Sequence, residues 1–260
     1  MRSEPFVRFR HPIGVSWKVR RSSRRAQGSR YGGLTVLNSG INRFSSLARL
    51  LVLLPAFGAL ASNTGHGQIP ELAAKPVPSP GKGEQTAVLA GGCFWGVDAV
   101  FKHVRGVTSV VSGYSGGSAA TAQYEVVSTG MTGHAESVKI TYDPSEISYS
   151  DLLRVFFSVA HDPTQLNRQG PDRGSQYRSV IFYANEDQRQ TAQATIDQLN
   201  KAKVFSASVV TQVVPLKDFY PAEGYHQNFL ARHPHYPYIV YNDLPKLRRL
   251  REQFPALYRQ

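Results

Sequence analysis

The sequence predicts an α/β (α+β) fold, a two-layer sandwich in which helices cover a mixed sheet. Three observations carry this. Short apolar or alternating runs of strand length interchange with stretches whose apolar residues recur every three or four positions. The interchange follows the order β-α-β-β-α-β-α-β, which one sheet-and-helix packing accommodates. The chain also holds a single cysteine, Cys93, so no intramolecular disulfide can form and an apolar core must supply the stability.

The domain is preceded by a leader. Residues 1–46 are rich in Arg and Ser, contain one acid (Glu4) and lack periodicity, so they are set outside the fold. Leu47 to Ala61 is a short apolar region ending in Ala59-Leu60-Ala61, a small-residue cleavage pattern, and reads as a secretory signal peptide. Residues 1–61 are therefore expected to be signal peptide or leader; the length of the stretch before the apolar run fits either a start assigned too far upstream or an organellar transit peptide. Residues 62–84, with Pro70, Pro76, Pro78, Pro80, Gly81 and Gly83, read as a linker, and 85–260 as the folded domain. An exported, periplasmic or envelope location follows; the alternative is organellar or cytoplasmic.

Within the domain, Thr86-Ala87-Val88-Leu89-Ala90 reads as a buried strand over 85–90. Val97, Val100, Phe101 and Val104 have helical spacing and predict a helix over 94–103. Val107 to Gly113 is a second strand, followed by a loop of glycines and small residues over 113–118. The run 136–142 alternates, with Val138, Ile140 and Tyr142 on one face and Ser137, Lys139 and Thr141 on the other; Asp143-Pro144 ends it. Leu152, Leu153, Phe156, Phe157 and Ala160 form one helical stripe. A long polar loop with Gly170 and Gly174 leads to a strand at 179–183. Asn185 with Gln188 resembles a capping box and opens a helix with Ala192, Ile196 and Leu199 inward. A last strand over 208–214 stops at Pro215, and a segment rich in Pro, Tyr and His wraps the domain before a basic helix near 244–253. Together these make a ferredoxin-like βαββαβ core with extra elements and a wrapping C-terminal segment.

The formal charge of +12 suggests a nucleic-acid binder until it is mapped. Residues 1–70 carry eleven Lys/Arg and one acid, whereas 71–260 carry nineteen against seventeen. The folded part is near neutral, and no nucleic-acid partner is expected for it. The histidines are scattered without ligand spacing, except His233 and His235 beside prolines, so no metal site is expected.

The chemistry centres on Gly91-Gly92-Cys93-Phe94-Trp95-Gly96. A glycine pair between strand and helix permits a tight turn and puts Cys93 at a helix N-terminus. Unpaired N–H groups and the macrodipole favour an anion there, so the thiol pKa is expected to fall below that of free cysteine. The competing reading is a small buried hydrophobe. Glu136 shares strand parity with Val138 and Ile140 and so points to the apolar face. Without a cationic partner, its carboxyl should stay protonated and act as hydrogen-bond donor or general acid. Tyr124 and Tyr177 lie in polar loops and could aim O–H groups at a substrate oxygen; Asp172, in a loop five residues before Tyr177, reads as an exposed loop acid. His134, His161 and His226 are candidate bases for a thiol-protease-like site.

Six motifs then stand in order: Gly92-Cys93-Phe94-Trp95-Gly96, Gly113-Tyr114-Ser115-Gly116-Gly117, Gly133-His134-Ala135-Glu136, His161-Asp162-Pro163-Thr164, Asp172 to Arg178, and Tyr225-His226-Gln227. Over about residues 85–240 the chain resembles the peptide-methionine (S)-S-oxide reductase family, methionine sulfoxide reductase A. The resemblance implies a catalytic domain in which Cys93 attacks the sulfoxide sulfur and Glu136 protonates the oxygen, helped by Tyr124 and Tyr177, with Asp172 in electrostatic support. It implies that Phe94 and Trp95 take the substrate's S-methyl group, with Gly92 and His226 also at the substrate. Methionine leaves and Cys93 remains as a sulfenic acid.

Many relatives resolve that sulfenic acid with a second cysteine in a C-terminal tail. The tail here, Phe254 to Gln260, has none. The expectation is a monomeric one-cysteine enzyme without bound cofactor, regenerated by an external thiol such as thioredoxin, glutaredoxin or glutathione. Its substrates would be free methionine-S-sulfoxide and oxidised proteins or peptides containing it. The alternative is a thiol-dependent peroxidase.

Overall fold

The computed structural model of the chain describes residues 83–260; the predicted leader and all but the last two residues of the predicted linker lie outside the described residues. In chain order the elements are β1 (Gln85–Gly91), α1 (Phe94–Lys102), β2 (Val107–Ser115), α2 (Tyr124–Val127), β3 (Ala135–Tyr142), α3 (Tyr149–Val155), β4 (Arg168–Gln169) and β5 (Asp172–Arg173). They continue with β6 (Ser179–Tyr183), α4 (Glu186–Lys201), β7 (Gln212–Pro215), β8 (Tyr220–Pro221), α5 (Phe229–Arg232) and α6 (Leu244–Gln253).

Six strands form one mixed sheet in the order β7-β6-β1-β3-β2-β8, antiparallel except for the β6–β7 pair. Its inner four, β6-β1-β3-β2, with α1 and α3 as connections, are the expected ferredoxin-like core. The parallel β6–β7 pair requires a crossover, and α4 supplies it. One sheet face, with Leu89, Val138, Ile140 and Ile181, is sealed beneath the helices. On the other face Val88, Ala90, Ala135, Val180 and Phe182 pack against Val214, Leu216 and Phe219, so the segment after β7 does wrap the domain. The Lys139 ammonium lies 5.4 Å from the Phe219 ring centre, in keeping with its opposite parity to Ile140.

Several boundaries differ from the sequence reading, each for a local reason. The strand predicted at 208–214 begins only at Gln212, because the Val210 amide is drawn to the carbonyl of Pro163. β2 runs on to Ser115, since its ladder with β3 continues to the Ser115–Ala135 pair, and β8 adds a second partner at Gly113 and Tyr114. The helix predicted over 152–160 starts at Tyr149, where the Ser148 hydroxyl accepts the Asp151 amide, and it loosens into a π-helical turn over Phe156–Ala160. The cap on α4 forms at Asn185, whose Oδ1 accepts the Gln188 amide at 2.9 Å; the Gln188 side chain reaches back one residue further than expected, to the Ala184 amide. The polar loop before β6 contains the β4–β5 hairpin, which was not predicted. No helix among the described residues is long and apolar enough to cross a membrane.

Candidate active site

The corner between β1 and α1 leaves little room for side chains, least of all at Gly92. A Cβ on Gly92, whose φ is +90°, would stand 2.5 Å from the Gln169 side chain, and one on Gly91 would stand 3.0 Å from His161 and Phe156. Cys93 follows as the N-cap of α1 and is 8% exposed. The Trp95 amide donates to its sulfur. The Phe94 amide donates to Oε2 of Glu136 at 3.0 Å, which brings the carboxyl to the residue beside the cysteine.

Glu136 has the predicted orientation, inward from β3, and is 3% exposed. None of the ion pairs among the described residues involves it. Burial pushes its pKa up to about 8, with the Asp172 charge adding to the rise and the Phe94 N–H opposing it. The carboxyl therefore carries its proton at neutral pH.

The expectation for Cys93 is overturned. Burial, then the charges of Glu136, Asp243 and Asp172, push the thiol well above its ordinary pKa, and the Trp95 N–H only partly offsets them. The helix end is real, but it acts inside a buried ring of carboxyl groups. The substrate-free site holds a thiol and not a thiolate.

Two phenols flank this pair. Tyr124 opens α2, where Glu223 clamps it: Oε1 accepts the Tyr124 amide and Oε2 the Tyr114 hydroxyl, each at 2.9 Å. Tyr177 ends a short turn that starts after Gly174, with φ +134°, and Gln176 ties that turn to the Ser128 carbonyl. Both phenols are pushed up, first by burial and then by Glu136, and both feel Cys93; they are O–H donors over the working pH range. Asp172 is not an exposed loop acid. It lies half-buried in the β4–β5 hairpin, accepts the Tyr238 hydroxyl, and has its pKa raised by burial.

Phe94 and Trp95 sit in an aromatic box. Trp95 stacks on Phe229 with ring centres 3.7 Å apart, meets Tyr238 edge-on, and donates its indole N–H to Nδ1 of His226 at 3.1 Å. The His226 ring touches Phe94 and Tyr124, with centres at 5.0 and 4.4 Å. Burial holds His226 neutral, with its pKa lowered to about 4. None of the three candidate histidines is placed as a base for Cys93: His226 accepts from Trp95, His134 binds Gly117 and Ser118, and His161 binds Phe156 and Ser179. The thiol-protease-like alternative is not formed.

The structure thus gathers Cys93, Glu136, Tyr124, Tyr177, Asp172, Phe94, Trp95, Gly92 and His226 around one corner. It adds residues that sequence reasoning missed: Glu223, Tyr238, Gln169 and the Asp243–Lys246 pair. Glu223 stands two residues before the Tyr225-His226-Gln227 motif, and Tyr238 lies in the Tyr-rich tail, so position alone could have flagged those two. Among the described residues no cluster of three or more His, Cys, Asp or Glu could hold a metal ion.

A buried thiol beside a carboxyl that keeps its proton, ringed by neutral phenols, defines a thiol-based oxidoreductase. Comparison with known proteins places it further: the chain belongs to the peptide methionine sulfoxide reductase family, whose model matches residues 85–257. It is 63% identical over 176 residues to peptide methionine sulfoxide reductase MsrA 2 of Mesorhizobium japonicum, covering 68% of this chain and 90% of that protein. It is 55% identical over 179 residues to the Synechocystis protein of the same name, covering 69% of this chain and 84% of the relative. Among solved structures, methionine sulfoxide reductase A of Corynebacterium diphtheriae superposes with a TM-score of 0.54 at 32% identity, over 61% of this chain and 80% of that one. Reduced Mxr1 of Saccharomyces cerevisiae gives 0.53 at 31% identity, over 59% of this chain and 87% of that one.

Proposed function

We propose that this protein reduces methionine-S-sulfoxide, free and within proteins, to methionine through a sulfenic acid on Cys93. The observation that carries the reading is the Phe94 N–H bond to Glu136 Oε2. With one carboxyl oxygen accepting that amide, the proton of the neutral acid is free on Oε1 to point at a substrate oxygen. A sulfoxide is a poor electrophile until its oxygen is protonated or strongly hydrogen-bonded. Glu136, with the Tyr124 and Tyr177 hydroxyls, supplies those donors. Phe94 and Trp95 offer the apolar wall against which the S-methyl group packs, and the fixed walls favour one epimer.

The step balances. Cys93 attacks the sulfoxide sulfur, the sulfoxide S–O bond breaks, and oxygen ends on Cys93 together with the thiol proton. Cys93 is oxidised by two electrons, the sulfoxide is reduced by two, and Glu136 regains its proton. One molecule of an external thiol, in a thioredoxin-like protein, glutaredoxin or glutathione, then forms a mixed disulfide on Cys93 and releases water; a second thiol frees Cys93. The domain holds no second cysteine to do this internally.

The test is a turnover without reductant. About one methionine should be released per protein, with one oxygen added on Cys93 by mass spectrometry; repeated turnover without any thiol would refute the scheme. A peroxidase is disfavoured because peroxides react with thiolates, and the substrate-free sulfur is held as a thiol. Offered a chiral sulfoxide and hydrogen peroxide in parallel, the protein should turn over the sulfoxide faster.

A further inference from the structure

The first turn of α1 serves more than the cysteine. Its opening amide, from Phe94, goes to Glu136, and the next, from Trp95, goes to the Cys93 sulfur. The third residue, Gly96, faces a buried ion pair from the C-terminal segment. A Cβ on Gly96 would stand 2.1 Å from Asp243 Oδ1 and 2.5 Å from Lys246 Nζ, so the absence of a side chain is what lets the pair press on the helix. Asp243 and Lys246 are joined across 3.1 Å, and the Asp243 side chain is 0% exposed. Its second oxygen, Oδ2, is buried and has no hydrogen-bond partner. A carboxylate costs several kcal/mol to bury, and one left half-satisfied calls for an explanation.

The positive pole of a helix stabilises whichever anion reaches it. We propose that Asp243, held against Gly96 by Lys246, is a positioning residue that takes that pole from Cys93 and so keeps the sulfur protonated until substrate arrives. The other groups facing Cys93 are Glu136 from β3, Tyr124 from α2, Asp172 from the β4–β5 hairpin, Tyr177 from the turn after it, and Tyr238 ahead of α6. Of the acids facing Cys93 among the described residues, Asp243 is the one held in an ion pair, which favours its charged form although burial raises its pKa; Lys246 faces Asp172 as well. Asp172 has the Tyr238 hydroxyl as a partner, whereas Asp243 Oδ2 has none, and of the two Asp243 acts on Cys93 the more strongly. The consequence is protective. A thiol reacts slowly with peroxides, so the single cysteine is not driven up the oxidation ladder between substrates.

The inference rests on reading Cys93 as the reacting group, but its test needs no sulfoxide. In the full chain, the rate of Cys93 alkylation by iodoacetamide is followed against pH for wild type and Asp243→Asn. The variant is expected to lower the midpoint by about one pH unit, which makes alkylation below it about tenfold faster. Inactivation by hydrogen peroxide should quicken alongside. A purely structural role for this near-isosteric change would leave the midpoint in place. If Asp243→Asn does not fold, the neutral double variant Asp243→Asn with Lys246→Met removes both charges of the pair together and should shift the midpoint in the same direction. An unchanged or raised midpoint in the variant that folds overturns the proposal. Turnover of a methionine sulfoxide peptide, run in parallel, reports separately on the proposed activity.

Discussion

The indole N–H of Trp95 donates to Nδ1 of His226 across 3.1 Å, and that bond fixes the tautomer of a buried ring. With Nδ1 accepting, the proton of the neutral imidazole belongs on Nε2, which has no partner among the described residues. Trp95→Phe would leave Nδ1 buried and unsatisfied, a cost of about 1–3 kcal/mol beyond the lost stacking on Phe229. The hydrogen-bond share can be isolated. In a His226→Phe background the same substitution should cost about 1 kcal/mol less, read from urea unfolding midpoints. Strict additivity would mean that the two rings merely pack.

Glu136 should make stability depend on pH in a direction unusual for a carboxyl. Its folded pKa of about 8 lies above the ordinary 4.5, so its stabilising share is complete below about 4.5 and is lost as pH rises through about 8. Glu136→Gln does not titrate. The stability of Glu136→Gln relative to wild type should therefore climb by about 1.4 kcal/mol per pH unit across that window and level off above it. Urea unfolding at about pH 6 and about pH 8 suffices; a flat difference would place the carboxyl in water.

The same proton sets the alkaline limit of catalysis. Wild-type kcat/KM should fall above about pH 8 as the donor ionises. Glu136→Gln can still donate through its amide and should keep partial activity without that alkaline limb. Glu136→Ala should lose about 10²–10⁴-fold. Equal rates for wild type and Glu136→Ala would remove the acid role.

These three predictions also separate what was legible in the sequence from what was not. Glu136 was legible because a strand has a strict period of two, so the side of one residue follows from its neighbours. The Cys93 corner and the Asn185 cap were legible because turn and cap chemistry is local. β8 was not: it is two residues long and exists through pairing with Gly113 and Tyr114, far back in the chain. The same limit explains the misread thiol. The helix-end effect is local and favours the anion, but burial first, and then the carboxyl groups of Glu136, Asp243 and Asp172 from three distant segments, outweigh it. Local grammar located the sulfur, while its protonation state was set by residues that only the fold brings near.

Gly96→Ala puts a helix-propensity gain against a collision. Inside an exposed helix the change would stabilise by about 1 kcal/mol. Here the new methyl group would meet Asp243 Oδ1 at 2.1 Å and Lys246 Nζ at 2.5 Å, so the buried pair must separate or α1 must shift. Breaking such a pair costs about 3–5 kcal/mol, which exceeds the propensity gain and predicts a net loss of roughly 2–4 kcal/mol. Gly224 is the matched control, because a Cβ there meets nothing within 4 Å and its φ is not in the left-handed region. Gly224→Ala should be neutral or stabilising by up to about 1 kcal/mol. If the collision is the cause, Gly96→Ala should cost clearly less in an Asp243→Ala background, where the oxygen it strikes is gone. An equal cost in both backgrounds would locate the damage in the helix itself and not in its contact with the pair.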